Sequence, residues 1–180
     1  KIEPWSLPQH PGNNAGYDAL EAYARAKAAS MNQHLIGYGQ LAENEWKTAN
    51  LPDPDLMTMR HYRLDRIREQ LRANDLAGIH LYDPLNIRYA VDCTNMQLWT
   101  AHNPVRCVFI ATEGPVILFE FHNCEHLSDH TGVVDEIRGC TAWFYFEAGN
   151  RCLEFAENWA NDIGDLLRQH GGGNMRCAFD

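Results

Sequence analysis

The stretch Val105-Arg106-Cys107-Val108-Phe109-Ile110-Ala111-Thr112-Glu113-Gly114-Pro115-Val116-Ile117-Leu118-Phe119-Glu120-Phe121 decides the fold class. Two apolar runs, Val105–Ala111 and Pro115–Phe121, flank the break Thr112-Glu113-Gly114. Val- and Ile-rich runs around a short glycine-containing break predict a β-hairpin. Upstream, Ala77–Tyr82 is a short apolar run that predicts a buried strand. The next residues, Asp83-Pro84-Leu85-Asn86, carry turn chemistry, because proline and Asx residues fix a bend. Before the strand, Leu56, Met59, Leu64, Ile67 and Leu71 follow helical spacing. Asp53-Pro54 reads as an N-cap followed by proline at the first helical position, and the helix ends near Asn74.

Downstream of the hairpin, Val133–Ile137 and Thr141–Phe146 predict two more strands around Gly139. Cys152–His170 places Leu153, Ala156, Trp159, Ile163, Leu166 and Leu167 at helical spacing. Gly171-Gly172-Gly173 ends that helix, since glycine takes the left-handed conformation at little cost. Met175–Phe179 opens an alternating strand. The sum is an α/β fold with a mixed β-sheet flanked by helices.

Residues 53–180 hold this unit, and residues 1–52 read as an N-terminal arm. Residues 1–16 contain three prolines, two glycines and two asparagines, so they predict irregular chain. Tyr17–Met31 is rich in Ala, Glu, Arg and Lys and predicts a helix with a weak apolar stripe. A short helix is expected around Leu41–Lys47.

The whole chain has 180 residues, 45% hydrophobic and 22% charged, with a formal net charge of −9. That composition suits a globular domain with its own core. So acidic a chain repels a phosphate backbone, which argues against nucleic acid as a partner. Arg60, Arg63, Arg66, Arg68 and Arg72 are interleaved with Asp65 and Glu69 and read as a solvated helix face. No stretch approaches the roughly 18 apolar residues of a membrane span, and the first residues lack the apolar run of a signal peptide. The six cysteines never form Cys-x-x-Cys, and a chain this long does not need disulfides. A reducing cytoplasm is the expected location.

Three places carry potential chemistry. His122, His126 and His130 would share one face of a helix, and imidazoles are good zinc or copper ligands. They do not form His-Glu-x-x-His, and the plainer reading is a polar helix crossing between strands. The glycines at 171–173 lack the Gly-Lys-Ser/Thr ending of a phosphate loop. The segment 83–106 is different: it combines Tyr89, Met96, Trp99 and His102 with amides and hydroxyls, between a buried strand and a hairpin. A loop-rich rim with large aromatics and few charges suits binding, although Trp99 could equally plug the core edge.

Asn86-Ile87-Arg88-Tyr89, after an apolar strand and Asp83-Pro84, resembles the signature of creatinase-type N-terminal domains. These precede the catalytic domain in the pita-bread metallopeptidase superfamily. Within it, Asp83–Ala90, then Asp92, Thr94–Trp99 and His102-Asn103-Pro104 resemble the DddP type of dimethylsulfoniopropionate (DMSP) lyase. Phe144-Tyr145-Phe146 and His170–Asn174 resemble it too. Hydrolytic relatives usually carry Tyr-Leu-Thr-Gly-Phe where this chain has Tyr89-Ala90-Val91-Asp92-Cys93.

This resemblance implies a homodimeric two-domain enzyme. It cleaves DMSP to dimethyl sulfide and acrylate: a base removes the proton α to the carboxylate, and the sulfonium sulfur leaves. It also implies a divalent or iron-type metal, held with the catalytic base in a C-terminal domain that this chain does not include. The N-terminal domain is expected to serve dimerisation and to cap the partner's active site. Trp99 is then the leading rim residue, with Met96, Gln97, His102 and Asn103 around it, since an aromatic face attracts a sulfonium cation. An Xaa-Pro peptidase or creatinase-type hydrolase acting on a small peptide is the alternative within the superfamily. A stand-alone, non-enzymatic binding domain is the alternative outside it.

Overall fold

Helix α1 (Gly39–Thr48) opens the part of this computed structural model that can be described, namely residues 39–94, 101–103 and 105–180. The helix expected over Tyr17–Met31 lies outside those residues. The chain divides into two units, residues 1–54 and residues 55–180. In the first unit, α1 falls where the short helix was expected, and the Trp46 indole N–H donates to the Pro52 carbonyl at 3.1 Å.

In the second unit, helix α2 spans Leu56–Ala73. Its N-cap is Asp55 rather than Asp53, because the Asp55 carboxylate accepts from both the backbone N–H (2.9 Å) and the hydroxyl (2.7 Å) of Thr58. Asn74 closes the helix as expected. Strand β1 (Gly78–Leu81) follows. The expected turn at Asp83–Asn86 is instead the first turn of helix α3 (Pro84–Val91). Asp83 caps it by accepting from the N–H groups of Leu85 (2.8 Å) and Asn86 (3.1 Å), with Pro84 at the first helical position, where a missing N–H costs nothing.

The hairpin forms as expected from β2 (Cys107–Ala111) and β3 (Val116–Glu120), every residue of both being buried. A single 3₁₀ turn, Glu125–Ser128, replaces the expected crossing helix. Strand β4 is Glu136–Gly139, later than expected, and Val133 and Val134 reach the core from the segment before it. Thr141–Phe146 forms no strand: Tyr145–Ala148 is a one-turn helix, α4. Helix α5 covers Cys152–His170, and β5 covers Cys177–Phe179.

The sheet order is β4-β3-β2-β1-β5, with β1–β2 and β2–β3 antiparallel and the two outer pairs parallel. This is the mixed sheet that the sequence predicts. Its strand alternation feeds two cores. Val108, Ile110, Val116 and Leu118 face α2 and α3 through Leu64, Ile87, Ala90 and Val91. Cys107, Phe109, Ile117 and Phe119 face α5 through Trp159, Ile163, Leu166 and Leu167. Successive residues of a strand point to opposite faces, so a strand covered on both sides reads as unbroken apolar sequence.

Candidate functional site

Strands β1 and β5 run parallel, with Gly78 beside Cys177 and His80 beside Phe179. Their carboxyl ends therefore emerge together, which is where open α/β sheets place ligand crevices. Tyr82 follows β1, and Asp180 follows β5. The Asp180 carboxylate accepts from the N–H of Tyr82 (2.7 Å), the N–H of Asp83 (3.1 Å) and the side-chain amide of Asn86 (2.9 Å). These three amide donors fix the orientation of the carboxylate. Asp83, capping α3 beside it, likewise accepts from amide N–H groups, those of Leu85 and Asn86.

A cavity of about 480 Å³ opens at this junction, lined by Tyr82, Asp83, Pro84, Ala101, His102, Asn103, Trp143 and Asp180. Its wall is braced from within. Trp143 meets Tyr82 edge-on at 5.6 Å and stacks on Trp159 at 5.6 Å. The Trp159 indole N–H donates to the Tyr82 hydroxyl at 2.7 Å. Burial holds the Tyr82 phenol well above its ordinary pKa, so it stays neutral. Behind it, buried His80 packs against Tyr82 at 4.4 Å, Trp159 at 5.4 Å and Phe179 at 5.8 Å. Among the described residues neither ring nitrogen of His80 has a hydrogen-bond partner, and burial depresses its pKa to about 4.

Of the rim residues expected from sequence, His102 and Asn103 line this cavity, while Met96, Gln97 and Trp99 lie outside the described residues. In the motif Asn86-Ile87-Arg88-Tyr89, Asn86 holds Asp180 and Ile87 is fully buried in the core. Arg88 is exposed, and Tyr89 lies under the Arg63 guanidinium at 5.4 Å. Sequence reasoning missed Tyr82, Trp143 and Asp180. The signal for Asp180 was the end of the β1 run, where the Tyr82 and Asp83 N–H groups leave the ladder and call for an acceptor.

A second polar knot sits on the opposite core face. Arg60, expected on a solvated face, is buried: its guanidinium binds Asp92 at 2.8 Å and the carbonyls of Thr131 (3.1 Å) and His130 (3.3 Å). Asp92 ends α3 in the left-handed conformation, with φ of 59°. The clamp therefore fixes how the chain leaves α3.

His122, His126 and His130 are all exposed and fall around a 3₁₀ turn, not along one helix face. With three residues per turn, a spacing of four rotates each ring away from the last. Among the described residues, no group of three or more His, Cys, Asp or Glu side chains is placed to hold a metal ion. As placed, the three histidines do not converge on a common metal position. Nor, among the described residues, is any helix long and apolar enough to cross a membrane.

Over 149 residues the chain is 42% identical to the dimethylsulfoniopropionate lyase DddP of Roseovarius nubinhibens, covering 83% of this chain and 33% of that protein. The DddP of Roseobacter denitrificans is 42% identical over 150 residues, covering 83% and 34%. The chain is a relative of the DddP lyases. The resemblance carried by the Asp83–Asn103 residues thus extends across most of the sequence. The chain spans about a third of the length of these curated DddP relatives. No family model matches it.

Proposed function

We propose that this chain forms the non-catalytic N-terminal domain of a DMSP lyase-like metalloenzyme, serving dimerisation and capping the partner's active site. The observation that carries this reading is the 42% identity to two DddP lyases over 83% of the chain. On this reading the metal and the catalytic base belong to the part of the full-length protein beyond this stretch. The six cysteines, all free thiols, favour a reducing cytoplasm.

The cavity at the ends of β1 and β5 supports a substrate-facing role. Tyr82 and Trp143 give it aromatic faces, and Asp83 and Asp180 give it negative charge. Both features attract a permanent cation such as a sulfonium, more strongly where water is excluded. The role of this chain is then to bind and orient the onium end while the elimination proceeds elsewhere. Trp99, outside the described residues, is the rim candidate that the sequence supplies. In the full-length enzyme, Trp99→Ala and Trp143→Ala should each raise KM for DMSP several-fold. Unchanged KM and kcat in both would remove the capping role.

A further inference from the structure

Cys107 and Cys140 stand 4.0 Å apart, sulfur to sulfur, beside the wall of the cavity. Cys107 opens β2 and is fully buried against α5, whereas Cys140 is half-buried and follows the last ladder residue of the edge strand β4. Beyond Cys140 the chain leaves the sheet for Thr141–Phe144, and the Cys140 N–H retains one bond, to the Glu120 carbonyl at 2.8 Å. Both cysteines belong to the apolar cluster that includes Tyr82, Trp143 and Trp159.

We infer that Cys107 and Cys140 form a reversible disulfide when the protein meets hydrogen peroxide. The balance is two thiols and one peroxide giving one disulfide and two waters. Peroxide oxygen transfers to the accessible Cys140 sulfur, forming a sulfenic acid and releasing one water. The Cys107 sulfur then attacks the Cys140 sulfur, hydroxide leaves, and it takes the Cys107 proton as the second water. Burial raises the Cys107 thiol well above its ordinary pKa, which keeps it protonated and leaves the first encounter with oxidant to Cys140; its own attack is carried by proximity, with the proton passing to the departing hydroxide.

The geometry limits what must move. A disulfide needs its sulfurs about 2.05 Å apart. β2 is central and held on both edges, and β3 lies between β2 and β4, so closing the bond requires Cys140 to give up its N–H bond to the Glu120 carbonyl and move with the chain after it. That chain carries Trp143, three residues on, which lines the cavity and stacks on Trp159. Oxidation therefore shifts one aromatic wall of the cavity. This inference does not depend on the lyase reading.

The test is peroxide treatment of the full-length protein, followed by alkylation and peptide mapping under non-reducing conditions. The expected product is a linked peptide pair containing Cys107 and Cys140, with a change in tryptophan emission that dithiothreitol reverses. Cys140→Ser should lose both signals. The wild-type map alone decides the matter if that variant does not fold. Cys107 and Cys140 recovered as separate alkylated thiols, or as sulfinic acids without a cross-link, would overturn it.

Discussion

The Trp159 indole N–H donates a 2.7 Å hydrogen bond to the Tyr82 hydroxyl, tying the middle of α5 to the residue where β1 meets the cavity. Trp159 is buried, so its N–H has little access to water. Tyr82→Phe keeps the ring and removes the acceptor. A buried donor left unsatisfied costs about 1–3 kcal/mol. Urea unfolding should show a lower midpoint with an unchanged slope, and Trp159→Phe in the same background should recover part of the loss.

Arg106 and Glu120 form an ion pair with no solvent exposure on either side chain, at 3.0 Å. Glu120 also accepts from the Ser128 hydroxyl and the Phe121 N–H, both at 2.9 Å, so it anchors the segment after β3. Glu120→Gln keeps the volume but takes the carboxylate from a buried guanidinium. Removing one partner of a buried pair costs about 3–5 kcal/mol. Replacing both residues with apolar ones of similar size should cost less than the single change. Equal losses in the single and double variants would contradict this account of the pair.

A Cβ built on Gly171 would lie 2.2 Å from the Asn174 carbonyl oxygen and 2.5 Å from that of Leu167. Gly171→Ala should therefore open the turn between α5 and β5 and lower the melting temperature by several degrees. Gly172 has nothing within 4 Å of such a Cβ, and its positive φ of 58° is its only requirement for glycine. Gly172→Asn, which tolerates that conformation, should be close to neutral.

His80 gives the fold an acid limit. Its folded pKa of about 4 lies below the ordinary 6.5, first because burial disfavours the charged ring, with Asp180 opposing weakly. The unfolded chain therefore takes up this proton first as pH falls. Stability is lost between pH 6.5 and about 4, and the loss then levels as the folded state also protonates. The full effect is on the order of 3–4 kcal/mol, at 1.36 kcal/mol per unit. His80→Phe should flatten this part of the pH–stability curve; an unchanged curve would place the titration elsewhere.

Periodicity made the large elements legible. The hairpin, α2 and α5 announce themselves because their apolar residues repeat at periods that only one backbone satisfies. Local chemistry misled where one signal serves two structures. Asp83-Pro84 starts a turn or caps a helix, and α3 won because Ile87, Ala90 and Val91 bury one face in the core. Trp143–Phe146 has strand propensity, yet Trp143 packs on Tyr82 and Trp159 while Phe146 stays 81% exposed. Propensity yields to packing there. The cavity was only half legible. His102 and Asn103 stood out as polar residues in an aromatic loop, but Tyr82 and Trp143 read as ordinary strand residues, and Asp180 lay just past the strand expected over Met175–Phe179. The parallel pairing of β1 with β5, separated by most of the unit, brings Tyr82 and Asp180 together, and Trp143 joins them by packing on Tyr82 and Trp159.

The most direct test is headspace detection of dimethyl sulfide from the full-length protein given DMSP, run beside an Xaa-Pro dipeptide. Dimethyl sulfide release without peptide cleavage is the predicted result. Peptide cleavage with no dimethyl sulfide would contradict the account and make the aromatic cavity part of a peptide site.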